Sequence, residues 1–259
     1  MKTLSVEGAE LVYDIEGSGP KTLAFAHGWL SHRDHWAPQA DRFSADHQVV
    51  RWDRRGMGAS TSDGPVTSAR HAADLVAILD HEKIDRVVIA GHAGGGPTAL
   101  SFATDFADRT DGLIMVDTRV WSSTGDDGDA AFAAGVETMA AQIGPDAPDS
   151  DTMLAGIYAS FFGPGAPPEV VAAAVDHAVK VDRTLAIAEI GHMLTETAEM
   201  ATQVRSPVLW VSAQPEDTAQ AQAAFGDVQV GHVVGSGHFV QVEVPDQLNS
   251  MIATFLRGL

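Results

Sequence analysis

The chain has no cysteine. That single absence excludes disulfide bridges, thiolate nucleophiles and thiolate-held metals together. Positive charge is scarce as well: 16 Lys and Arg stand against 35 Asp and Glu, for a formal net charge of −19. So acidic a surface repels a phosphate backbone, so no nucleic-acid partner is expected, and anionic membranes and highly anionic substrates are disfavoured. No stretch approaches the run of about 18 apolar residues that spans a bilayer, so no membrane association is expected either. The opening residues alternate apolar and polar side chains and lack the apolar segment of a signal peptide, which makes a cytoplasmic protein the expectation. Neither H-E-x-x-H nor a nucleotide-binding glycine fingerprint occurs, so no cofactor or metal is expected.

What is present suits a soluble globular protein. Apolar residues make up 45% and charged residues 20% of 259 residues, enough for a sizeable core around one sheet. Residues 4–6 and 10–15 read as a hairpin punctuated by glycines. Short apolar runs of the buried-strand type follow at 23–26, 48–52, 86–90, 112–116, 208–212 and 228–234. Helical patterns such as 68–81 and 96–107 lie between them, so the sheet is predicted to be mostly parallel with right-handed crossovers. From 121 to 205 the alternation stops, and four Ala-rich helical pieces are predicted at 129–143, 152–161, 169–180 and 183–200. The expected organisation is a core from 1–120 and 206–259 with a helical cap, 121–205, inserted before the last two strands.

The strongest chemical signal is Gly91-His92-Ala93-Gly94-Gly95 at the end of a buried strand and the start of a helix. This is the frame of a nucleophile elbow, in which small neighbours permit a strained turn and the helix start offers N–H groups to a developing oxyanion. A phosphate-binding loop is the weaker reading, because its own fingerprints are missing. Three more motifs follow in order. In His27-Gly28-Trp29 the Trp29 N–H is the candidate second oxyanion donor. Asp53-Arg54-Arg55-Gly56-Met57-Gly58-Ala59-Ser60 reads as a loop positioned by ion pairs. Gly235-Ser236-Gly237-His238 places a histidine at a strand's C-terminal end, where open α/β sheets hold their chemistry.

Together these motifs resemble the α/β-hydrolase superfamily over nearly the whole chain. The resemblance implies an α/β fold with a mostly parallel sheet flanked by helices, and a nucleophile–acid–histidine triad acting on a small-molecule substrate. Carried over, His238 is the base, Ala93 stands at the nucleophile position, and Gly28, Trp29, Gly94 and His27 form the oxyanion and substrate-binding region. Two carboxylates compete as the acid: Glu216, after the post-cap strand, and Asp117, at the end of the pre-cap strand. Asp117 is preferred.

An alanine methyl cannot attack a carbonyl, so acyl-enzyme chemistry is closed to this chain. Ser101, within the helix, and Ser236, on another loop, do not replace the missing hydroxyl. Three readings follow. The first is a serine hydrolase for esters, lactones or C–C bonds in which the nucleophile is replaced by Ala93. The second rests on Gly28-Trp29, the Ile114-Met115-Val116-Asp117 strand end and Gln214-Pro215, which resemble the cofactor-independent 3-hydroxy-4-oxoquinoline 2,4-dioxygenases. That resemblance implies a His238–Asp117 dyad that deprotonates the substrate. The third is a non-catalytic ligand-binding member of the fold. The order given is the order of preference, and the cap residues Met139, Met153, Phe161, Phe162 and Met193 suggest a largely apolar substrate.

Overall fold

A computed structural model describes residues 1–125, 127–191, 194–214 and 217–259. Strands β1 (Lys2–Val6) and β2 (Ala9–Glu16) form the expected hairpin, which turns at Gly8 with φ +69°. The sheet is completed by β3 (Thr22–Ala26), β4 (Gln48–Trp52), β5 (Val87–His92), β6 (Thr110–Val116), β7 (Val208–Ser212) and β8 (Gln229–His232). The eight strands run in the order β1-β2-β4-β3-β5-β6-β7-β8. The β1–β2 and β2–β4 pairs are antiparallel, and every pairing from β4 to β8 is parallel. Strands β3, β5 and β7 are buried along their whole length, as a parallel sheet covered on both faces requires, which is why they read as continuous apolar runs.

Strand order places the site. From β3 the chain moves one way to β4 and then back past β3 to β5, so the loops leaving β3 and β5 emerge side by side. The register pairs Phe25 with Ala90 and Ala26 with Gly91. This is a topological switch point, the crevice where open α/β sheets bind ligands.

Helices α1 (Ala37–Phe43), α2 (Ser68–Glu82) and α3 (Gly95–Asp105) precede β6. Between β6 and β7 lie α4 (Asp127–Ile143), α5 (Ser150–Ser160), α6 (Pro168–Ala178), α7 (Arg183–Gly191) and α8 (Ala198–Ala201). The chain ends with α9 (Asp217–Phe225), α10 (Val240–Glu243) and α11 (Pro245–Arg257). No described helix is long and apolar enough to cross a membrane. One face of the sheet packs Leu75, Leu79 and Phe102 of α2 and α3, and the other packs Trp36, Phe43, Ile252 and Phe255. A third cluster joins Trp29, Leu30 and Met57 of the core loops to Leu154, Tyr158 and Ile190 of the inserted helices.

Three readings need correction. The single helix expected over 183–200 is two helices, α7 and α8, with 192 and 193 outside the described residues. The last strand is shorter than the expected 228–234 and ends at His232. Helix α11 was missed, although Leu248, Ile252, Phe255 and Leu256 mark its buried face at helical spacing behind a proline at its first turn.

The loop after β4 is held by ion pairs, but buried ones. Arg55 is bound by both oxygens of Asp74 on α2, at 2.5 and 2.7 Å, and both side chains are almost wholly buried. Removing one member leaves the other charge uncompensated away from water, at a cost of about 3–5 kcal/mol. Asp74→Ala should therefore lower the unfolding free energy by about that amount in urea titration. A loss below about 1 kcal/mol, the scale of an exposed pair, would contradict the reading.

Candidate active site

Ala93 has φ +48°, in the left-handed region that a residue with a Cβ rarely enters. The turn persists because its surroundings over-determine it. The Ala93 N–H donates to Val116 O at 3.1 Å, and its carbonyl accepts from Gly96 N–H and from Thr118 Oγ1, both at 2.8 Å. The flanking glycines are steric necessities. A Cβ on Gly91 would run into the Gly95 carbonyl, and one on Gly95 into the carbonyls of Ala26 and His27. The frame is that of an elbow; the residue at its tip is a methyl group.

The His238 ring is oriented from the end of β6. His238 Nδ1 donates to Asp117 Oδ2 at 2.6 Å, with the imidazole 32% exposed and the carboxylate 10%. Asp117 Oδ1 accepts from Ala213 N–H at 2.9 Å. Burial pushes the Asp117 carboxyl upward. The His238 hydrogen bond, the His238 charge and the Ala213 N–H outweigh it and hold the group below its ordinary value. Of the two competing acids, Asp117 meets the ring; Glu216 lies outside the described residues.

Sequence reasoning passed over His92, which steadies the backbone of His238. Its Nε2 donates to the His238 carbonyl at 2.8 Å, and the two rings lie 4.7 Å apart. Complete burial, with His238 alongside, pushes His92 down to about 3. It is therefore a neutral donor across the physiological range. Its position directly before the elbow residue was the available signal.

Across the crevice, a Cβ on Gly94 would stand 3.3 Å from the Trp29 nitrogen, so the two backbone segments face each other closely. Among the described residues neither the Trp29 N–H nor the Gly94 N–H meets an acceptor. Two N–H groups free beside the elbow can hold an oxyanion. Gly28 belongs to this approach: a Cβ there would press on His92 Nδ1 at 3.0 Å and on the Ala93 methyl at 3.2 Å.

His27 requires correction as a substrate-binding candidate. It is wholly buried, its Nδ1 donates to Gly28 O and its Nε2 accepts from Arg54 N–H, both at 2.9 Å. It braces the loop from behind.

These groups open on a cavity of about 640 Å³. Trp29, Ala93, Gly94, Asp117 and His238 line one side, and Phe132, Val136, Met139, Phe161 and Phe162 the other. Of the apolar residues expected there, Met153 is instead exposed and Met193 lies outside the described residues. The hydroxyls on the wall are Thr118, Tyr158 and Ser160, and each donates to a backbone carbonyl. Ser101 and Ser236 do not reach the wall.

With the elbow, the facing donors and the paired histidine in one crevice, family comparison becomes decisive. The alpha/beta hydrolase family model matches residues 23–251. The chain belongs to the alpha/beta hydrolase family. Among curated relatives, RutD of Azorhizobium caulinodans, named as a candidate carbamate hydrolase, is 34% identical over 42% of this chain and 41% of its own length. The esterase YbfF of Escherichia coli is 30% identical over 37% of each chain. The alignments thus span about two fifths of these relatives. An esterase from Thermogutta terrifontis superposes with TM-score 0.85 at 20% identity, covering 100% of this chain and 99% of the other. An enol-lactonase from Burkholderia xenovorans gives 0.81 at 21%, covering 99% and 100%. At such identities the likeness concerns the fold.

Buried histidines give this family member an acid-sensitive core. Burial lowers His27, His35, His71 and His92 below the ordinary 6.5, with positively charged or histidine neighbours adding to it. Unfolded, each binds a proton near 6.5; folded, each resists. The unfolded state therefore holds more protons in that window, and stability falls as pH drops through 6.5, with His92 contributing down to about 3. At pH 5.5 His92, held down to about 3, costs on the order of 1 kcal/mol relative to neutral pH, and the other three act in the same direction. Urea unfolding at pH 7.5 and 5.5 should show the loss, and His92→Gln should make it smaller. Equal stability at the two pH values would refute this account.

Proposed function

We propose that the chain is a hydrolase of small, largely apolar carbonyl compounds, short esters and lactones first, built on a serine-hydrolase site in which Ala93 takes the nucleophile's place. The observation that carries the reading is the 2.6 Å His238–Asp117 pair, set beside a left-handed elbow and two unfilled backbone donors. A binding protein has no need of a base held in one tautomer by a buried carboxylate. The curated relatives named for ester and carbamate hydrolysis, and the apolar wall of the cavity, support the substrate class.

In this mechanism the substrate carbonyl oxygen lies against the Trp29 and Gly94 N–H groups. Without a hydroxyl at residue 93, His238 Nε2 takes a proton from water, and the water oxygen bonds to the carbonyl carbon. The negative charge passes to the oxygen held by the two N–H groups. Collapse breaks the bond to the leaving oxygen, which receives the proton back from His238. Asp117 keeps the ring in the tautomer that presents Nε2 as acceptor and stabilises the imidazolium between the two transfers.

Residue 93 is then the limiting deficiency. Ala93→Ser should raise turnover of p-nitrophenyl acetate and butyrate by about 10²-fold or more, through an acyl-enzyme visible as a burst. His238→Ala should remove about 10²–10⁴-fold of whichever activity is measured. A folded serine variant inert towards esters and lactones alike would end the hydrolase reading.

The position of Asp117 at the end of β6 favours a second reading, a cofactor-independent oxygenase that uses the same dyad to ionise a 3-hydroxy-4-quinolone. Oxygen uptake with such compounds after chelation, abolished by His238→Ala and indifferent to Ala93→Ser, would put this reading first.

A further inference from the structure

The loop that carries the Trp29 N–H is short and irregular, yet four successive carbonyls in it are taken by side chains. Arg54 Nε donates to His27 O and its Nη2 to Gly28 O, both at 2.9 Å. The Tyr158 hydroxyl is shared between Trp29 O at 3.2 Å and Leu30 O at 3.1 Å. The indole is held too, because Trp29 Nε1 donates to Ala186 O at 2.8 Å. Leu30, just beyond, sits at φ +49°, a conformation that needs such support.

The anchoring groups do not belong to the loop's own neighbourhood in sequence. Tyr158 is on α5 and Ala186 on α7. Arg54 is itself fixed by α7, where Glu189 Oε2 receives its Nη1 at 2.8 Å while Glu189 Oε1 receives His71 Nε2 at 2.7 Å. Arg54, Glu189 and His71 are almost wholly buried, so these contacts operate away from water. One guanidinium thus joins α7 to two carbonyls of the loop. A lysine, with a single nitrogen, cannot do so.

We propose that Tyr158, Arg54 and Glu189 are positioning residues for the oxyanion donor, so that the helices between β6 and β7 set where the Trp29 N–H points. None of the three need touch the reacting atoms. Their effect passes through the backbone: with its carbonyls tied back, the peptide between Gly28 and Trp29 is left with its N–H turned towards Gly94. Misplacing a donor by about 1 Å is enough to cost orders of magnitude in rate, because donors act at the position where charge develops. The catalytic half of this inference rests on the function proposed above; the bracing half does not.

Two measurements separate the halves. 15N relaxation in the otherwise unaltered chain should show the order parameters of the Trp29 and Leu30 amides falling from about 0.85 to below about 0.6 in Tyr158→Phe and in Glu189→Gln, with the amides of β5 and β6 unchanged. In the Ala93→Ser background, the same substitutions should lower kcat on p-nitrophenyl acetate about ten-fold and leave KM within two-fold. Glu189→Asp should recover part of the rate, and Arg54→Lys should behave like the loss of the guanidinium. Should Glu189→Gln fail to fold, Tyr158→Phe alone decides, since it removes one oxygen and retains the ring. Unchanged order parameters at Trp29 and Leu30 overturn the proposal, as does a KM rise with kcat retained. Lowered order parameters in a serine variant that turns over no ester uphold the bracing and sink the hydrolase reading instead.

Discussion

Everything chemical in this molecule hangs on a backbone turn that an alanine should not favour. Holding Ala93 at φ +48° costs on the order of 1–3 kcal/mol, and the fold meets that cost with three hydrogen bonds and with glycines that let β5, α3 and the β3 loop close on one another. The turn has a consequence for every other group. It brings residue 93 to the crevice, sets Gly94 close against the Trp29 backbone, and starts α3 at the same place. On the function proposed above, a chain that retains this strain while presenting only a methyl group has kept the electrostatic half of an acyl-transfer site and lost the covalent half.

The polar groups around the turn are arranged by burial as much as by contact. In a chain of formal charge −19, the crevice is furnished with imidazole, the Asp117 carboxylate, backbone N–H groups and the Arg119 guanidinium, which is paired with Asp129 at 2.8 Å. His92 stays uncharged because it is buried beside His238, so it holds the His238 carbonyl as a neutral donor. Asp117 stays ionised because its partners supply what burial removes. Asp117 fixes the tautomer of the His238 ring, and His92 holds the backbone that carries it.

The inserted helices enter the site twice. Their apolar side chains form the far wall of the cavity, and their polar groups grip the loop opposite. Trp29 shows how the two roles meet: its ring packs in the cluster shared with Leu154 and Ile190, while its indole N–H binds a helix carbonyl. Substrate shape and donor position are therefore set by the same stretch of chain.

Much of this was legible in the residues. Runs such as 23–26 and 208–212 announced buried parallel strands because both faces of such a strand are covered, and the glycines about Ala93 announced an elbow because little else tolerates the approach of Gly95 to Gly91. The order of His27-Gly28-Trp29, the motif from Asp53 to Gly58, the glycines from Gly91 to Gly95 and the motif from Gly235 to His238 along the chain sufficed to name the family resemblance. Local pattern failed where distant packing decides. His27 and His238 are both histidines beside a glycine, yet one is buried with both nitrogens taken and the other is a third exposed in a cavity. Arg54 read as one more charge in a polar loop, because nothing in its neighbours reveals Glu189, over a hundred positions away. Sequence by itself determined the fold and the elbow frame around Ala93, since these follow from backbone sterics and side-chain patterning at known positions. Only tertiary structure decided which carboxylate meets His238, which histidines stay neutral and what holds the Trp29 N–H, because each depends on dielectric and distance between segments that the chain order keeps apart.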